Sequence, residues 1–379
     1  MFKLLKDAEC YSPEYQGRKD ILLAFDKIVE ISSVITADKL YQVDIIECKD
    51  KIACPGFIDQ HVHISGGGGE EGPKSIIGPI NVNELLSSGV TTAVGLLGAD
   101  SVSKSMEGLL MKARSLESEG MTTFIYSGHY GIPTSTITGR IMTDVALIEK
   151  VIGAGEIAIS DYRSSNPTQH ELMNLAYEVL TGGLLGNKAG VMHLHVGNGK
   201  EGLGPLLELV EESDYPVSMF VPTHLNRNRA LFRQAVQYRA NGGNIDLTAG
   251  EKAEAGISVP DCLKQLLESG TGLDRVTVSS DGNGSGAGAS GKETGRVMAL
   301  FDDFKTAVQG HKLPLAEVLR TVTSNVAGVL KLYPYKGRLA AGSDADIMLL
   351  DKQSLSLDML FAKGRLIIDK GTLLPGAGH

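Results

Sequence analysis

The sequence has few cysteines and no large excess of either charge, and each of these absences excludes a class of protein. Only four cysteines occur in 379 residues, namely Cys10, Cys48, Cys54 and Cys262, and no two of them form a CxxC pair. A disulfide framework and a thiolate zinc site are therefore not expected. The formal net charge of −9 is mild for this length, which argues against nucleic acid or an anionic membrane as a partner.

Long apolar segments are also missing from the sequence. No stretch approaches the roughly 18 apolar residues of a membrane-spanning helix, and charged residues interrupt the first segment before a signal-peptide core could form. We therefore expect a soluble, cytoplasmic protein. The hydrophobic fraction of 42% supplies enough material for a large core, and the length fits a barrel of roughly 250 residues with a smaller companion.

The order of apolar segments predicts an α/β fold. Residues 1–54 and the segment after about residue 336 contain short apolar runs typical of strands. Between them, strand-like segments alternate with helical patterns such as 142–152 and 315–330. Eight strand-like segments occur in this part of the chain, and they begin near residues 57, 91, 122, 156, 190, 221, 245 and 276. We predict a (β/α)8 TIM-type barrel over residues 55–335. A doubly wound sheet is the competing fold, but it would gather its polar residues at one switch point.

The segment from residue 55 to residue 70 contains the strongest local signal. His61 and His63 are two residues apart, so that both imidazoles face the same side of a strand. Two histidines at a surface loop are the alternative interpretation of a bare HxH pattern. Four consecutive glycines, Gly66–Gly69, and then Glu70 follow the strand. A core strand would not tolerate these glycines, so they indicate a loop that approaches another group closely, as at the mouth of a βα-barrel.

Polar residues also follow most of the other predicted strands. His195 ends one strand, whereas His193 would lie one layer deeper, where a hydrogen-bonded core histidine is expected. Taken alone, His224 could be a surface histidine and Asp281 a turn or N-cap residue. The full candidate set is His61, His63, Tyr130, Glu156, Arg163, His195, His224, Arg227, Asp281 and Ser285.

Together the histidines and carboxylates of this set could bind two divalent cations. Two metals would lower the pKa of a shared water and polarise a carbonyl group. Asp281, in contact with one metal, could accept the proton of that water and deliver it to a leaving amine. The pattern therefore indicates hydrolysis of an amide-like bond.

Several motifs identify a family. PGFIDQHVH, SSDGNG and GSDADI resemble the amidohydrolase superfamily, and HVHISGGGGE, TITGR, AISDYRSS and PTHLNRN are similar to the isoaspartyl (β-aspartyl) dipeptidases within it. The similarity runs from about residue 20 to residue 370. It implies a binuclear zinc metallo-dipeptidase on a (β/α)8 barrel that hydrolyses the isopeptide bond of small β-aspartyl dipeptides. It also implies a homo-oligomer, with a small β-sandwich domain formed by residues 1–54 and 336–379.

The resemblance further implies a metal-binding role for particular residues. His61, His63 and Asp281 would hold the buried metal, and His195 and His224 the second one. A metal-bound hydroxide would be the nucleophile, with Asp281 as general base and then general acid.

The implied substrate-binding residues complement the charges of the substrate. A β-aspartyl dipeptide carries one ammonium and two carboxylates, and arginine binds carboxylates bidentately. Glu70 would bind the ammonium, Tyr130 would polarise the scissile carbonyl, Arg163 and Arg227 would bind carboxylates, and Ala99 and Ser285 would lie at the same pocket.

The chain departs from the family pattern at one position. Family members commonly bridge their metals with a carboxylated lysine, whereas this chain has Glu156 there and no lysine between Lys150 and Lys188. Glu156 would reach the metals only if its strand approached them or bulged, which Gly153 and Gly155 permit. The alternative is a glutamate paired with Arg163 or another cation beside a single metal.

Two other functions remain open from the sequence. One is a related amidohydrolase that acts on a cyclic amide, as hydantoinases and dihydroorotases do, or on an N-acyl amino acid. A neutral cyclic substrate would have no use for Glu70 as an ammonium anchor. The other is a catalytically silent paralogue, which would be expected to have lost metal ligands that are present here.

Overall fold

The computed structural model describes residues 2–36, 42–251, 256–285 and 294–374. The N-terminal segment forms five strands within these ranges: β1 (Phe2–Tyr11), β2 (Tyr15–Ala24), β3 (Lys27–Ser32), β4 (Val43–Glu47) and β5 (Lys51–Pro55). Strand β1 pairs with β2 antiparallel and with both β4 and β5 in parallel. Apolar residues of β1 and β2 are buried on both faces of this pair, Leu5 and Ile21 in one cluster and Leu4 and Leu22 in another.

The central segment contains parallel strands whose carboxyl ends lie together. They are β6 (Phe57–Val62), β7 (Val90–Gly95), β8 (Thr122–Ser127), β9 (Val151–Ile159), β10 (Val191–Val196), β11 (Phe220–Thr223), β12 (Ile245–Thr248) and β13 (Val276–Ser279). Among the described residues, β6 to β11 form one sheet in chain order, and β12 pairs with β13. Each of the eight predicted segments therefore contains an observed strand.

The β12–β13 pair is connected to the larger sheet at both of its edges. A parallel bridge joins Val62 and Gly282, and the backbone N–H of His63 donates to Gly282 O at 2.9 Å. At the other edge, Leu225 N–H donates to Asp246 O at 3.3 Å. The loops that follow β6, β11 and β13 are thus brought to one end of the strands.

Helices connect and cover these strands. They are α1 (Val82–Ser87), α2 (Met106–Ser118), α3 (Ile141–Leu147), α4 (Gln169–Gly186), α5 (Gly204–Glu212), α6 (Arg229–Ala240), α7 (Val259–Glu268), α8 (Met298–Lys305), α9 (Leu315–Val322) and α10 (Ser324–Val329). Side-chain caps begin several of them, for example at Asn81 and Thr168, where capping boxes satisfy the first N–H groups. In the described part of the chain, no helix is both long and apolar enough to cross a membrane.

Two predicted helices differ from the observed ones. The pattern over 142–152 predicts one helix, but α3 ends at Leu147, and the β-branched Val151 and Ile152 begin β9. Both are buried there, so burial within the sheet outweighs helical periodicity. The pattern over 315–330 is divided into α9 and α10 at Thr323, whose φ of −136° and ψ of −91° interrupt the helix.

The C-terminal segment returns to the first sheet through β14 (Ile347–Asp351), β15 (Leu357–Ala362), β16 (Arg365–Asp369) and β17 (Thr372–Leu373). Strand β14 pairs with β5, so that strands from both ends of the chain share one nine-stranded sheet within the described ranges. This arrangement is a mixed α/β fold whose parallel strands curve as at least half a barrel. The β-sandwich and the domain boundaries expected from the sequence stay predictions.

Candidate active site

The candidate ligands meet where the parallel strands end. His61 lies on β6 and His63 directly after it, while Glu156 lies on β9 and His195 on β10. His224 follows β11 with a φ of 62°, and Asp281 follows β13 with a φ of 51°. A positive φ is uncommon for residues other than glycine and is concentrated at functional sites.

Glu156 lies at the centre of the histidines. Its Oε2 atom is 3.3 Å from His61 Nε2, 3.0 Å from His195 Nδ1 and 3.1 Å from His224 Nε2. Its Oε1 atom is 3.9 Å from His63 Nε2. The carboxylate therefore faces both halves of the ligand set. The ion pairs found for Arg163 are with Asp161 and Glu70 and, within the described residues, do not include Glu156.

Asp281 completes one side of this cluster. Its Oδ1 atom lies 3.3 Å from His61 Nε2 and 3.2 Å from His63 Nε2. Three overlapping groups have ligand atoms within 4.8 Å of one another: His61, His63 and Glu156; His61, His224 and Asp281; and Glu156, His195 and His224.

The chemistry of this donor set fits divalent metal ions. Imidazole nitrogens and carboxylate oxygens are the usual ligands of zinc and related cations. His61 Nε2 and Glu156 Oε1 are buried and have no hydrogen-bond partner among the described residues. Such buried polar groups are costly unless another species satisfies them.

The other ring nitrogens of three histidines have their own partners. His61 Nδ1 is 2.8 Å from His193 Nε2, and His224 Nδ1 is 2.7 Å from Thr248 Oγ1. His195 Nε2 is 3.0 Å from Asp161 Oδ2. Such contacts fix the orientation of metal-binding histidines. His193 is fully buried, which confirms the expected hydrogen-bonded core position.

Electrostatics favours ionised carboxylates in the cluster. Burial acts to raise the pKa of Glu156, but the charges of His61 and His195 outweigh it and hold the pKa well below its usual range. For Asp281, burial acts to raise the pKa, but the close contacts with His61 and His63 outweigh it and lower the pKa. For His224, burial and then the charge of Arg227 lower the pKa to about 3. The ionised carboxylates and the neutral His224 suit metal binding. At His61, burial lowers the pKa but the charges of Glu156 and Asp281 outweigh it and raise the pKa to about 9, so a cation would have to displace a proton there.

The backbone around Glu156 approaches β10 closely. The register between β9 and β10 shifts between Met192 and Leu194, so that Gly155 and Glu156 together face one residue of the neighbouring strand. A Cβ atom at Gly155 would lie 2.8 Å from the Cβ atom of His193. Only glycine fits this approach, and the irregularity agrees with the bulge that the sequence permits.

Charged side chains surround the entrance to the cluster. Glu70 Oε1 accepts from Arg163 Nη1 at 3.1 Å and from Ser285 Oγ at 2.7 Å. The Arg163 guanidinium also lies 5.2 Å from the ring centroid of Tyr130. Tyr130 Oη is 2.8 Å from His195 Nδ1, and burial, followed by the charge of Glu156, raises the pKa of Tyr130 well above its usual value.

A cavity adjoins these groups. The predicted site residues that line it are His63, Glu70, Ala99, Tyr130, His195, Asp281 and Ser285. Arg227 is buried beside it and donates through Nη1 to Val196 O at 3.1 Å, with His195 Nε2 at 3.3 Å. The structure thus brings all the residues selected from the sequence to one end of the strands.

Sequence reasoning missed Asp161 at this site. Its carboxylate contacts both His195 and Arg163. The available signal was its position in AISDYRSS, two residues before Arg163. Asp100 and Lys104 also line the cavity and were not predicted.

Comparison with known proteins identifies the family. A crystal structure of β-aspartyl dipeptidase from the thermophilic, keratin-degrading Fervidobacterium islandicum is 41% identical, with a TM-score of 0.93 and 99% of each chain covered. The chain belongs to the amidohydrolase superfamily, among the β-aspartyl dipeptidases. The family expected from the sequence is thereby confirmed.

Other matches agree with this membership. A second Fervidobacterium structure, 40% identical with a TM-score of 0.93 and 99% coverage of each chain, holds a β-Asp-Leu dipeptide. A model of the amidohydrolase family matches residues 256–367. Dihydropyrimidinase from Brevibacillus agri shares the fold, with 16% identity, a TM-score of 0.66, and 100% and 97% of the two chains covered. A dihydroorotase from Elusimicrobium minutum is 22% identical over 98% of each chain.

Proposed function

We propose that this protein is a metal-dependent dipeptidase that hydrolyses the isopeptide bond of β-aspartyl dipeptides. One observation carries the proposal: a six-residue cluster of potential metal ligands lies beside two side chains of opposite charge, Glu70 and Arg163. We call these two residues, with Ser285, the rim of the site. The Fervidobacterium relative, which is 40% identical, binds β-Asp-Leu.

The rim provides charges for both ends of such a substrate. The Glu70 carboxylate binds the α-ammonium, and its present partners, Arg163 Nη1 and Ser285 Oγ, keep it over the cavity. Arg163 and Arg227 bind the carboxylates, because guanidinium groups make charge-assisted hydrogen bonds to them. Ala99 and Tyr130 line the cavity in which the dipeptide would bind.

The metal sites are proposed as a pair. His61, His63 and Asp281 would hold one cation and His195 and His224 the other, with the Glu156 carboxylate in contact with His61 and His195. Zinc is the proposed ion because imidazole and carboxylate donors suit it. Two bound cations supply an acidic water and polarisation of the scissile carbonyl.

Side chains of the protein would transfer the proton and stabilise the developing oxyanion. The Asp281 carboxylate is ionised, since its pKa is held below the usual range, and it can therefore accept a proton and return it to the leaving amine. Tyr130 stays protonated because its pKa is raised, so that its hydroxyl can donate to the developing oxyanion.

Finer features of the architecture belong to the same proposal. We infer that β6 to β13 close into a (β/α)8 barrel, which the link between His63 and Gly282 supports. The terminal sheet would fold as a small β-sandwich domain composed of residues 1–54 and 336–379, beside the barrel of residues 55–335. A homo-oligomer and a cytoplasmic location stay predictions from the sequence.

A substrate comparison tests the function. Zinc-loaded protein should release aspartate and leucine from β-Asp-Leu, but should leave α-Asp-Leu and a hydantoin largely intact. Removal of the metal with a chelator should abolish the activity, and zinc should restore it. Hydrolysis of the hydantoin without that of β-Asp-Leu would overturn the proposal in favour of a cyclic-amide hydrolase.

A further inference from the structure

We infer that Asp161 is a positioning residue that couples the metal ligand His195 to the substrate-binding Arg163. The part of the inference that concerns Arg163 rests on the proposed function. The part that concerns the metal ligand His195 does not depend on the substrate. The Asp161 side chain would act through these two neighbours and would contact neither the metals nor the dipeptide.

The Asp161 carboxylate is shared between the two residues. Oδ1 accepts from Arg163 Nε at 2.9 Å and from the Arg163 backbone N–H at 2.8 Å. Oδ2 accepts from Arg163 Nη2 at 2.9 Å and lies 3.0 Å from His195 Nε2. Both oxygens are therefore used, and Oδ2 is common to the arginine and the histidine.

Close packing fixes the position of Asp161. The residue is only 7% exposed. A Cβ atom added to Gly197, which follows β10, would lie 2.5 Å from the Asp161 Cβ atom. The segment that carries His195 is thus packed directly against Asp161, and the carboxylate has little freedom to move away.

The contact with Asp161 also favours a proton on Nε2 of His195. Two arginines lie beside Nε2, with Arg163 Nη2 at 3.4 Å and Arg227 Nη1 at 3.3 Å. Alone, these donors would favour a bare Nε2 and a proton on Nδ1, the atom that faces Glu156. The Asp161 carboxylate instead favours a proton on Nε2, which leaves the Nδ1 lone pair for a cation.

This arrangement is particular to His195 among the ligands. The outer partners of His61 and His224 are another histidine and a threonine, which are neutral or weakly polar groups. Only at His195, within the described residues, is the outer partner a carboxylate that also binds an arginine of the rim. If Glu70 exchanges its contact with Arg163 for a substrate ammonium, Arg163 keeps its hydrogen bonds to Asp161.

The test combines metal binding with kinetics in the full-length protein. Asp161→Asn keeps the size but cannot accept hydrogen bonds through both oxygens. We expect binding of the second cation to weaken about 10–100-fold in chelator competition, with an altered visible spectrum after cobalt substitution. The KM for β-Asp-Leu should also rise about tenfold or more, as it should in Arg163→Met.

A double-mutant cycle separates coupling from two independent defects. Arg163→Met should raise KM without changing metal stoichiometry, and Asp161→Asn should add little further KM increase in that background. Asp144→Asn is the matched control, because Asp144, on α3, is likewise a buried carboxylate and accepts from Ser127 Oγ at 2.6 Å. The control should lower thermal stability but leave metal affinity and KM unchanged.

Unchanged metal affinity and cobalt spectrum in Asp161→Asn would overturn the inference, as would additive KM effects in the cycle. If the Asn variant does not fold, Asp161→Glu provides the test, because it retains the charge but displaces the carboxylate. That variant should bind the second cation more weakly and show a raised KM, and a change in only one of the two would refute the coupling. Absence of β-Asp-Leu hydrolysis in the wild type would contradict the proposed function alone, since the metal measurements still decide the role of Asp161 toward His195.

Discussion

Replacement of Glu70 by glutamine tests the recognition of the substrate's α-ammonium. The Glu70 side chain is 23% exposed and lies at the rim, where it accepts from both Arg163 and Ser285. Glutamine keeps the size and one carbonyl oxygen but removes the negative charge. The fold should therefore tolerate the change, while the ammonium loses its counter-charge.

The magnitude follows from the contact that is lost. A hydrogen bond to a charged group contributes about 1.5–3 kcal/mol, which corresponds to roughly a 10–150-fold decrease in kcat/KM for β-Asp-Leu. The lower half of this range is expected, because a partly exposed pair is screened by water. Glu71→Gln is the matched control, since Glu71 is the next residue and is exposed; it should leave kcat/KM unchanged.

The assay uses the substrate and its N-acetylated form side by side. Wild-type protein should discriminate strongly against N-acetyl-β-Asp-Leu, because acetylation removes the ammonium charge. Glu70→Gln should lose most of this discrimination by losing activity on the free amine alone. Equal tolerance of acetylation by wild type and variant would refute the anchor role and leave Glu70 as a support for Arg163.

Three further predictions concern the metals and the stability of the fold. Asp281→Asn should lower kcat by about 100-fold or more with metal content retained; near-normal kcat in the metal-loaded variant would remove Asp281 from the proton transfer. Apo-protein reconstituted with zinc in bicarbonate-depleted buffer should recover full activity with about two metals per chain, because Glu156 is a permanent carboxylate; a requirement for bicarbonate would refute the bridge. Lys336→Met should lower the free energy of unfolding by about 3–5 kcal/mol in urea titrations, because Lys336 Nζ is buried 2.8 Å from Asp344 and 2.5 Å from Asp346. Burial lowers the pKa of Lys336, but these carboxylates outweigh it and raise the pKa above 10.5; the pKa of Asp344 is lowered below 3.8, against the effect of burial, by the charge of Lys336. The stability difference should therefore persist near neutral pH and shrink below about pH 4 or above about pH 10; a loss equal to that of exposed Lys49→Met would contradict this account.

Much of the fold was predictable because the strands of the central segment are short and almost entirely buried, and apolar residues are frequent in them. Strands β10 and β12, for instance, are buried at every position. Such strands have a clear signal in the sequence. The terminal strands have a weaker signal, because charged residues such as Lys6 and Asp7 interrupt β1 where its pairing with β2 is irregular.

The metal cluster was predictable from residue type and position, but its supporting contacts were not. A histidine at a strand end points into a known region of a parallel sheet, so His61 and His195 could be placed without coordinates. The role of Asp161 depends on the close packing of Gly197 against it. A contact across two strands and a loop leaves no periodic signal in a single sequence.

Glu156, the residue at which the sequence departs from the family pattern, lies on an irregular part of the β9 backbone. Its side chain is shorter than a carboxylated lysine, so its Cα atom must lie nearer to any site shared by His61 and His195. Gly153 and Gly155 permit a close approach of β9 to β10 because they have no Cβ atom. A Cβ atom at Gly153 would lie 2.2 Å from Val191 O, and one at Gly155 would also collide with β10. The glycines allow close contact between strands, and the register shift then places two residues of β9 opposite His193. In the proposed role of Glu156 between two metals, this close approach of the main chain would compensate for the shorter side chain.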